Sequence, residues 1–396
     1  MHTTQSAVKT FFDRNLVHIA RGLWIVLAVA LCVKSVVEPT NHTVYPVFAQ
    51  GGADWLTGTP LYHDGFFYGP AFAAFMAPWS LLPAWLGGIV WNLLGVACFV
   101  GALTIFSRQV LPKDWSPNAR HVLSMLTLAG SIRSIWCGQN NSLIIAGALL
   151  AGAAIVKGRW WRAAIYLAAP IHIKVWPAVA AALTAVQWPR KLAARLTIAT
   201  LAVGIIPLAL SSPTIVAGYY DQWYQCLADR QAGGERWDGY RDAWNIWEQF
   251  APVDKTGYLA LQAASGLMVL AWCIWQGRRN LETPRLVTYT LAMWASWQLL
   301  FGPGSERPTY IIIAPFTAWA VVTSYLEKRG RVVATSTMAM TCLLGAGGIE
   351  RLFLQFTQAA MAIQPLGVVV FIAWLVTHAQ RAAEDSSSSS PVDRDL

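Results

Sequence analysis

Apolar runs recur along almost the whole chain, and they restrict the fold more than any other feature. They cover Gly22–Val37, Gly87–Phe106, Val122–Trp136, Leu143–Val156, Leu196–Leu210, Tyr258–Trp275, Val287–Leu300, Tyr310–Leu326, Val332–Ala346 and Met361–Val376. A helix needs roughly 20 apolar residues to cross a 30 Å hydrocarbon core, fewer where flanking side chains snorkel or the bilayer thins. Backbone polar groups have no water partners there, so spanning segments are helices or closed barrels. Only 12% of the 396 residues are charged, against about 25% in a soluble domain. The expectation is an all-α integral membrane protein: a polytopic helical bundle of about ten spans forming one domain over residues 1–380. The first run lacks a small-residue cleavage site and reads as an anchor, not a signal peptide.

Charge orients the bundle. Lysine and arginine cluster at Lys9–Arg21, Arg108–Arg120, Lys157–Arg162, Arg190–Arg195, Arg278–Arg285 and Lys328–Arg331. The positive-inside rule assigns these to the cytoplasm. Glu38–Gly65 has neither residue, so it belongs outside. Both termini then fall in the cytoplasm, and the membrane expected is a bacterial plasma (inner) membrane. The same clusters account for the net charge of +9. They are spread over short loops with no surface domain, which argues against a nucleic-acid partner; membrane lipids are the expected surroundings.

Two segments do not fit as simple spans. Phe66–Trp85 is broken by Pro70, Pro78 and Pro83 and reads as interfacial helices on the outer surface. Ala163–Val186 has basic clusters on both sides, so it must leave and return on one face. It reads as a re-entrant helical hairpin carrying His172 and Lys174 at its tip. Outer loops are expected over residues 38–85 and 211–256, the second as an ordered element rich in tryptophan and tyrosine. A disordered cytoplasmic tail is expected over residues 381–396. The six cysteines are scattered with no Cys-x-x-Cys or Cys/His spacing, and no carboxylate pair with metal-ligand spacing is evident in the outer loops; no metal or other cofactor is expected.

Ionisable groups near hydrocarbon are costly and are functional candidates by default. Four constellations fall on the outer side. The first is the loop through His42, Tyr45, Asp54, Asp64 and Tyr68, with titratable bases that also fit a solvated loop in an aromatic belt. The second is Arg133 with Gly138-Gln139-Asn140-Asn141. Its amides suit sugar hydroxyls or a phosphate, or equally a turn that satisfies frayed helix ends. The third is His172 and Lys174: an ammonium at membrane depth needs an anionic partner, and a lipid phosphate or a neighbouring carboxylate would serve. The fourth is Gly302-Pro303-Gly304-Ser305-Glu306-Arg307-Pro308, a tight turn whose two charges could simply pair with each other.

These residues resemble glycosyltransferase family 87, the polyprenyl-phosphate-mannose-type enzymes of the GT-C superfamily. Trp55-Leu56-Thr57-Gly58 and Leu61-Tyr62 follow Val44-Tyr45 in the first outer loop. Phe67-Tyr68-Gly69-Pro70 with Pro78, Gly138-Gln139-Asn140-Asn141, Ile173-Lys174-Val175-Trp176-Pro177 and Gly302-Pro303 through Tyr310 then follow in the family's order. The resemblance implies a GT-C-like bundle with a lipid-donor groove. It also implies inverting transfer of a hexose, such as mannose, from a polyprenyl-phosphate donor to a lipid or glycan acceptor. Arg133, Gln139, Asn140, His172, Lys174, Glu306, Arg307, Tyr45 and Tyr68 would bind substrate. The family places an aspartate just before the Val-Tyr pair, where this chain has His42. The base is then His42, or Asp54 or Asp64 folded back into the role, or catalysis is altered. A transporter or flippase for lipid-linked sugar and a non-catalytic binding partner are the competing readings.

Overall fold

The computed structural model describes residues 2–63, 65–232, 239–252, 254–279, 281–343 and 358–388. Among these there is no β-strand; one isolated bridge joins Tyr240 and Glu306. The helices are α1 (His2–Val37), α2 (Tyr45–Thr57), α3 (Pro70–Ser80), α4 (Ala84–Gln109), α5 (Pro117–Trp136), α6 (Asn141–Val156), α7 (Trp160–Ile173) and α8 (Ala178–Gln187). They continue as α9 (Ala194–Ile205), α10 (Pro213–Ala232), α11 (Ala243–Trp247), α12 (Lys255–Gly277), α13 (Thr283–Phe301), α14 (Ala314–Leu326), α15 (Arg331–Met338) and α16 (Ile363–Ser388). Proline opens α3, α5 and α10 at the first helical position, where its missing N–H costs nothing. Ser116 caps α5 by accepting from the Ala119 amide at 3.2 Å.

Every apolar run of the sequence coincides with a described helix, in whole or in part. Among the described residues, five helical stretches are long and apolar enough to cross a membrane: Asn15–Val37, Ala84–Gln109, Pro189–Ala209, Lys255–Gly277 and Ala360–Glu384. The others are shorter or more polar, for a physical reason visible in α13. Nearly all its residues from Leu286 to Leu300 are buried in protein, so it need not match the lipid. The run expected from Tyr310 begins as a tight 3-10 turn over Arg307–Ile312 before α14. The run expected from Val332 is α15 plus a wider π turn over Ala339–Leu343; residues 344–357 are outside the described set.

The bundle has two unlike ends. One gathers the lysine- and arginine-rich turns and is called here the basic end. The other carries the loops poor in lysine and arginine, the loop end, which the charge rule assigns to the outside. The expected hairpin is present as α7 and α8. Trp160 and Trp188, at its two feet, stand 6.2 Å apart between ring centroids, and Lys191 lies over Trp160. Its tip, at Lys174, is at the loop end.

At the loop end, α2, α3 and α10 form a separate layer with its own aromatic core, including Tyr45, Phe48, Trp55, Phe66, Tyr68, Phe72 and Tyr219. Phe48 meets Tyr68 and Phe72 edge to face at 4.9 and 5.3 Å, geometry that suits the ring quadrupoles. The Tyr219 hydroxyl donates to the Thr59 carbonyl and Trp223 Nε1 to the Phe67 carbonyl, tying α10 down.

One expectation is corrected. The chain does not lose order at Arg381: α16 continues to Ser388. Ala382 and Ala383 are buried and Arg285 Nη1 reaches the Ala382 carbonyl. Arg-Ala-Ala-Glu is a run of good helix formers, and this packing outweighs the serines that follow. Residues 389–396, the rest of the expected tail, are outside the described set.

The bundle is centred on α6, which is almost entirely buried. In lipid, helices associate through close packing of small residues, because burying apolar surface against a neighbour differs little from burying it in lipid. A Cβ on Gly147 would lie 2.7 Å from the Tyr166 carbonyl oxygen of α7, and one on Gly152 would lie 2.8 Å from Val287 Cγ1 of α13. Gly147→Ala must therefore push α6 and α7 apart, at a cost of about 1–3 kcal/mol for overpacking. Thermal unfolding of the purified protein in detergent should show a lowered midpoint. Gly22→Ala, where a Cβ meets nothing within 4 Å, should leave the midpoint unchanged or raise it.

Candidate functional site

The site is assembled from the ends of helices. The last four carbonyls of any helix lack intrahelical donors. At the end of α5, three consecutive carbonyls receive donors from elsewhere in the fold. Trp136 O accepts from Lys34 Nζ at 2.6 Å, Cys137 O from the Val44 amide at 3.0 Å, and Gly138 O from Trp91 Nε1 at 2.7 Å. Gly138 is left-handed, with φ of 63°, and a Cβ there would lie 2.7 Å from Thr43 Oγ1. Both facts require glycine. The turn read from sequence as Gly138-Gln139-Asn140-Asn141 is therefore the seat onto which the loop between α1 and α2 is fastened.

Lys34 is the residue that sequence reading missed. It is 8% exposed, at the end of α1, and its ammonium also donates to the His42 carbonyl at 2.9 Å. It lies 5.1 Å from the Trp136 ring centroid. The clue was its charge inside the run Gly22–Val37, but fifteen apolar or small neighbours hide one lysine from any averaged hydropathy. His42 itself is exposed and sits in the left-handed region at φ of 52°.

The second cation is placed by the hairpin. Helix α7 stops at Ile173, and Lys174 is extended, with φ −138° and ψ 144°. Its ammonium donates to Asn141 Oδ1 at 3.0 Å and stands 5.6 Å from the Tyr68 ring centroid. Asn141 opens α6, and its amide reaches the Pro308 carbonyl at 3.4 Å. The Gly69 amide bonds the Ile173 carbonyl at 3.4 Å, which holds Tyr68 beside Lys174. One lysine thus joins the α2–α3 loop, the α5–α6 turn and the hairpin tip, and Asn141 carries that set on to the late Gly/Pro turn.

Arg133, Lys34, Glu306 and Arg307 all lie within electrostatic range of the Cys137 thiol. Burial pushes that thiol up, while Arg133 and Lys34 pull it the other way. The Gly/Pro turn is itself clamped. The Arg241 amide donates to Ser305 O at 2.6 Å, Tyr310 donates its hydroxyl to Arg241 O at 2.9 Å, and Glu306 N donates to Thr309 Oγ1 at 3.2 Å.

Several buried polar atoms at this end have no protein partner: Arg133 Nε, Gln139 Oε1, both side-chain atoms of Asn140, and both of Gln298. Native proteins leave few buried polar groups unpaired, and each calls for a reason. Asn140 is fully buried. Neutral amides beside cations suit sugar hydroxyls and phosphate oxygens.

Four of the residues singled out by sequence lie elsewhere or beyond reach. Asp54 is buried in a local network, accepting from Gln50 Nε2 at 2.9 Å and Thr59 Oγ1 at 3.2 Å, with His63 Nε2 3.1 Å from its other oxygen. Tyr45 is buried, donates to the Trp79 carbonyl at 3.1 Å, and stands hard against Gly87. Burial also pushes its phenol up. His172 is engaged by another helix, with Nε2 2.8 Å from the Thr200 carbonyl of α9. Asp64 is outside the described residues. Arg133, Gln139, Asn140, Lys174, Tyr68, Glu306 and Arg307 are brought to one end, joined by Lys34 and Asn141. Among the described residues no three His, Cys, Asp or Glu side chains gather as a metal site.

Comparison with known proteins bears on this arrangement. The model of glycosyltransferase family 87 matches residues 66–303, more than half the chain. A polyprenol-phosphate-mannose-dependent alpha-(1-2)-phosphatidylinositol pentamannoside mannosyltransferase of Mycobacterium tuberculosis is 25% identical over 329 residues, covering 80% of this chain and 70% of that protein. The matched stretch runs from the aromatic layer through the α5–α6 turn and the hairpin tip to the start of the late Gly/Pro turn. This membrane protein belongs to glycosyltransferase family 87 and is a glycosyltransferase.

Proposed function

We propose that the chain transfers a hexose, mannose by analogy with its relative, from a polyprenyl-phosphate donor to an acceptor hydroxyl at the loop end, with inversion. The observation that carries this reading is the gathering of Lys34, Arg133, Lys174 and Arg307 around the α5–α6 turn, beside buried amides without protein partners. The donor phosphate lies among these cations and its sugar against the amides and Tyr68. A base takes the acceptor proton. The acceptor oxygen attacks the anomeric carbon from the face opposite the phosphate, the glycosidic C–O bond breaks, and polyprenyl phosphate leaves with the bonding pair. The cations offset the charge that develops on the phosphate, where fixed charges in a dry site act most strongly.

His42 is the base in this proposal. Its ring is exposed, its carbonyl is tied to Lys34, and it stands where the family places an aspartate. The Asp54 carboxylate is already engaged by Gln50, Thr59 and His63. Histidine is the side chain used most often for general base catalysis. Family membership speaks against the transporter reading, and the inner-membrane location with cytoplasmic termini remains part of the proposal.

The test is sugar transfer from synthetic polyprenyl-phosphate hexoses by the protein in nanodiscs. Lys174→Ala should lower the rate by about 10²–10³-fold, the scale for losing one group that stabilises developing charge. A full rate in that variant would remove the phosphate role. Asn141→Ala, which leaves the ammonium in place, should lose less. His42→Ala should lower the rate by about 10²–10⁴-fold, as for removal of a general base, and His42→Asp should recover part of it. If His42→Ala transfers normally, the base is another residue.

A further inference from the structure

A cavity of about 1020 Å³ opens at the basic end, far from the site above. It lies between the α4–α5 turn, the start of α13, the end of α14 and the last turns of α16. Its inner wall carries the aromatic rings of Trp115, Tyr289 and Trp319, all buried. On that wall a polar chain runs from the Tyr289 hydroxyl to His378 Nδ1 at 3.0 Å, and from His378 Nε2 to Glu327 Oε1 at 3.3 Å. The His378 ring is stacked on Trp374 at 4.8 Å between centroids, so the chain is fixed in place.

Four cations face the same cavity: Lys113, Arg285, Arg329 and Arg381. None forms an ion pair among the described residues. Arg285 reaches only the Ala382 carbonyl, at 3.4 Å, and Arg381 only the Thr377 carbonyl of its own helix, through Nε. Both arginines are still close enough to Glu327 to help hold its carboxyl below the usual range, after the hydrogen bond from His378. The charge rule explains basic residues at this end. It does not explain a cavity with an aromatic wall around which they stand unpaired.

We propose that this cavity is a second binding site, for a phosphodiester-bearing amphiphile. Asp114, Glu282 and Glu327 also line it, so the fixed charge is only slightly positive. That balance suits one singly charged phosphodiester and disfavours a polyanion such as a nucleoside triphosphate. The volume is at the upper end of the roughly 300–1,000 Å³ of small-molecule sites, too large for a bare phosphate and suited to a phosphate with its attached polar group. Arginine forks bind phosphate oxygens in pairs, and the aromatic wall offers an apolar face to the glyceryl or alkyl part. The ligand comes either from the leaflet at this end or from solution as the free headgroup phosphodiester.

Native mass spectrometry of the full chain released from detergent tests this, with phosphatidylglycerol as the probe and phosphatidylcholine as the zwitterionic comparison. Phosphatidylglycerol should bind better, and the double variant Arg285→Gln/Arg381→Gln should weaken it by about tenfold or more, the scale of losing a charged hydrogen bond. Arg285→Lys/Arg381→Lys should retain most of the binding, which separates charge recognition from misfolding. Arg190→Gln/Lys191→Gln, at the same end outside the cavity, should not change it. Displacement of the lipid by water-soluble glycerophosphoglycerol at similar concentration would assign the ligand to solution. No preference over phosphatidylcholine, no loss in the arginine-to-glutamine variant, or an equal loss in the Arg190 and Lys191 variant would each overturn the proposal.

Discussion

The loop end depends on one requirement: helix ends near a membrane must find donors for their last carbonyls. An unpaired carbonyl in an apolar setting costs several kcal/mol. Helix α5 meets this requirement with donors from three other elements, namely Lys34 of α1, Val44 at the head of α2 and Trp91 of α4. The solution is electrostatically favourable as well, because a cation beside a helix C-terminus interacts well with the aligned peptide dipoles. It also has a consequence for the site. The loop between α1 and α2 cannot move independently of the α5–α6 turn, since His42, Val44 and Trp136 share one lysine and one turn. A loop that carries chemistry is thereby held by helix ends, which are rigid.

The same logic places Lys174. Helices α6 and α7 approach closely because Gly147 lets the α6 backbone rest against the Tyr166 carbonyl. That approach sets the start of α6 opposite the end of α7, and the two terminal residues, Asn141 and Lys174, then meet at 3.0 Å. A contact made mid-bundle fixes a contact at its end. The ammonium donates to an amide oxygen and lies near a tyrosine ring, so the packing fixes where the lysine stands.

The helical class, the hairpin and the grouping of polar motifs at one end were all legible in the sequence. Hydropathy, proline positions and basic clusters each report on a constraint the bilayer imposes locally. What was not legible depended on partners distant in the chain. Asp54, Tyr45 and His172 have the residue types of a site, and each turns out to be engaged by a neighbour: a glutamine and a histidine, the Trp79 carbonyl, the Thr200 carbonyl. Lys34 has the opposite history. It stands in an apolar run and looks like an interruption, but the fold gives it two carbonyls from segments eight and about a hundred residues away. Side-chain chemistry nominates both kinds of residue equally, and only the pairing separates them.

The two ends of the bundle use cations differently, and the difference is physical. At the loop end, Lys34 is held by hydrogen bonds to two backbone oxygens, with no carboxylate bonded to it among the described residues. Buried charge of this kind is costly unless the surroundings are arranged to stabilise it. At the basic end, arginines lie over tryptophans at the surface, as Arg195 does over Trp161 and Arg279 over Trp275. There the solvent bears most of the charge and the aromatic face anchors the side chain. The first arrangement suits a group that must neutralise phosphate during a reaction; the second suits one that positions the protein in its bilayer. The cavity between α4, α13, α14 and α16 fits neither pattern, because its arginines stand beside aromatic rings without stacking on them and beside carboxylates without pairing to them.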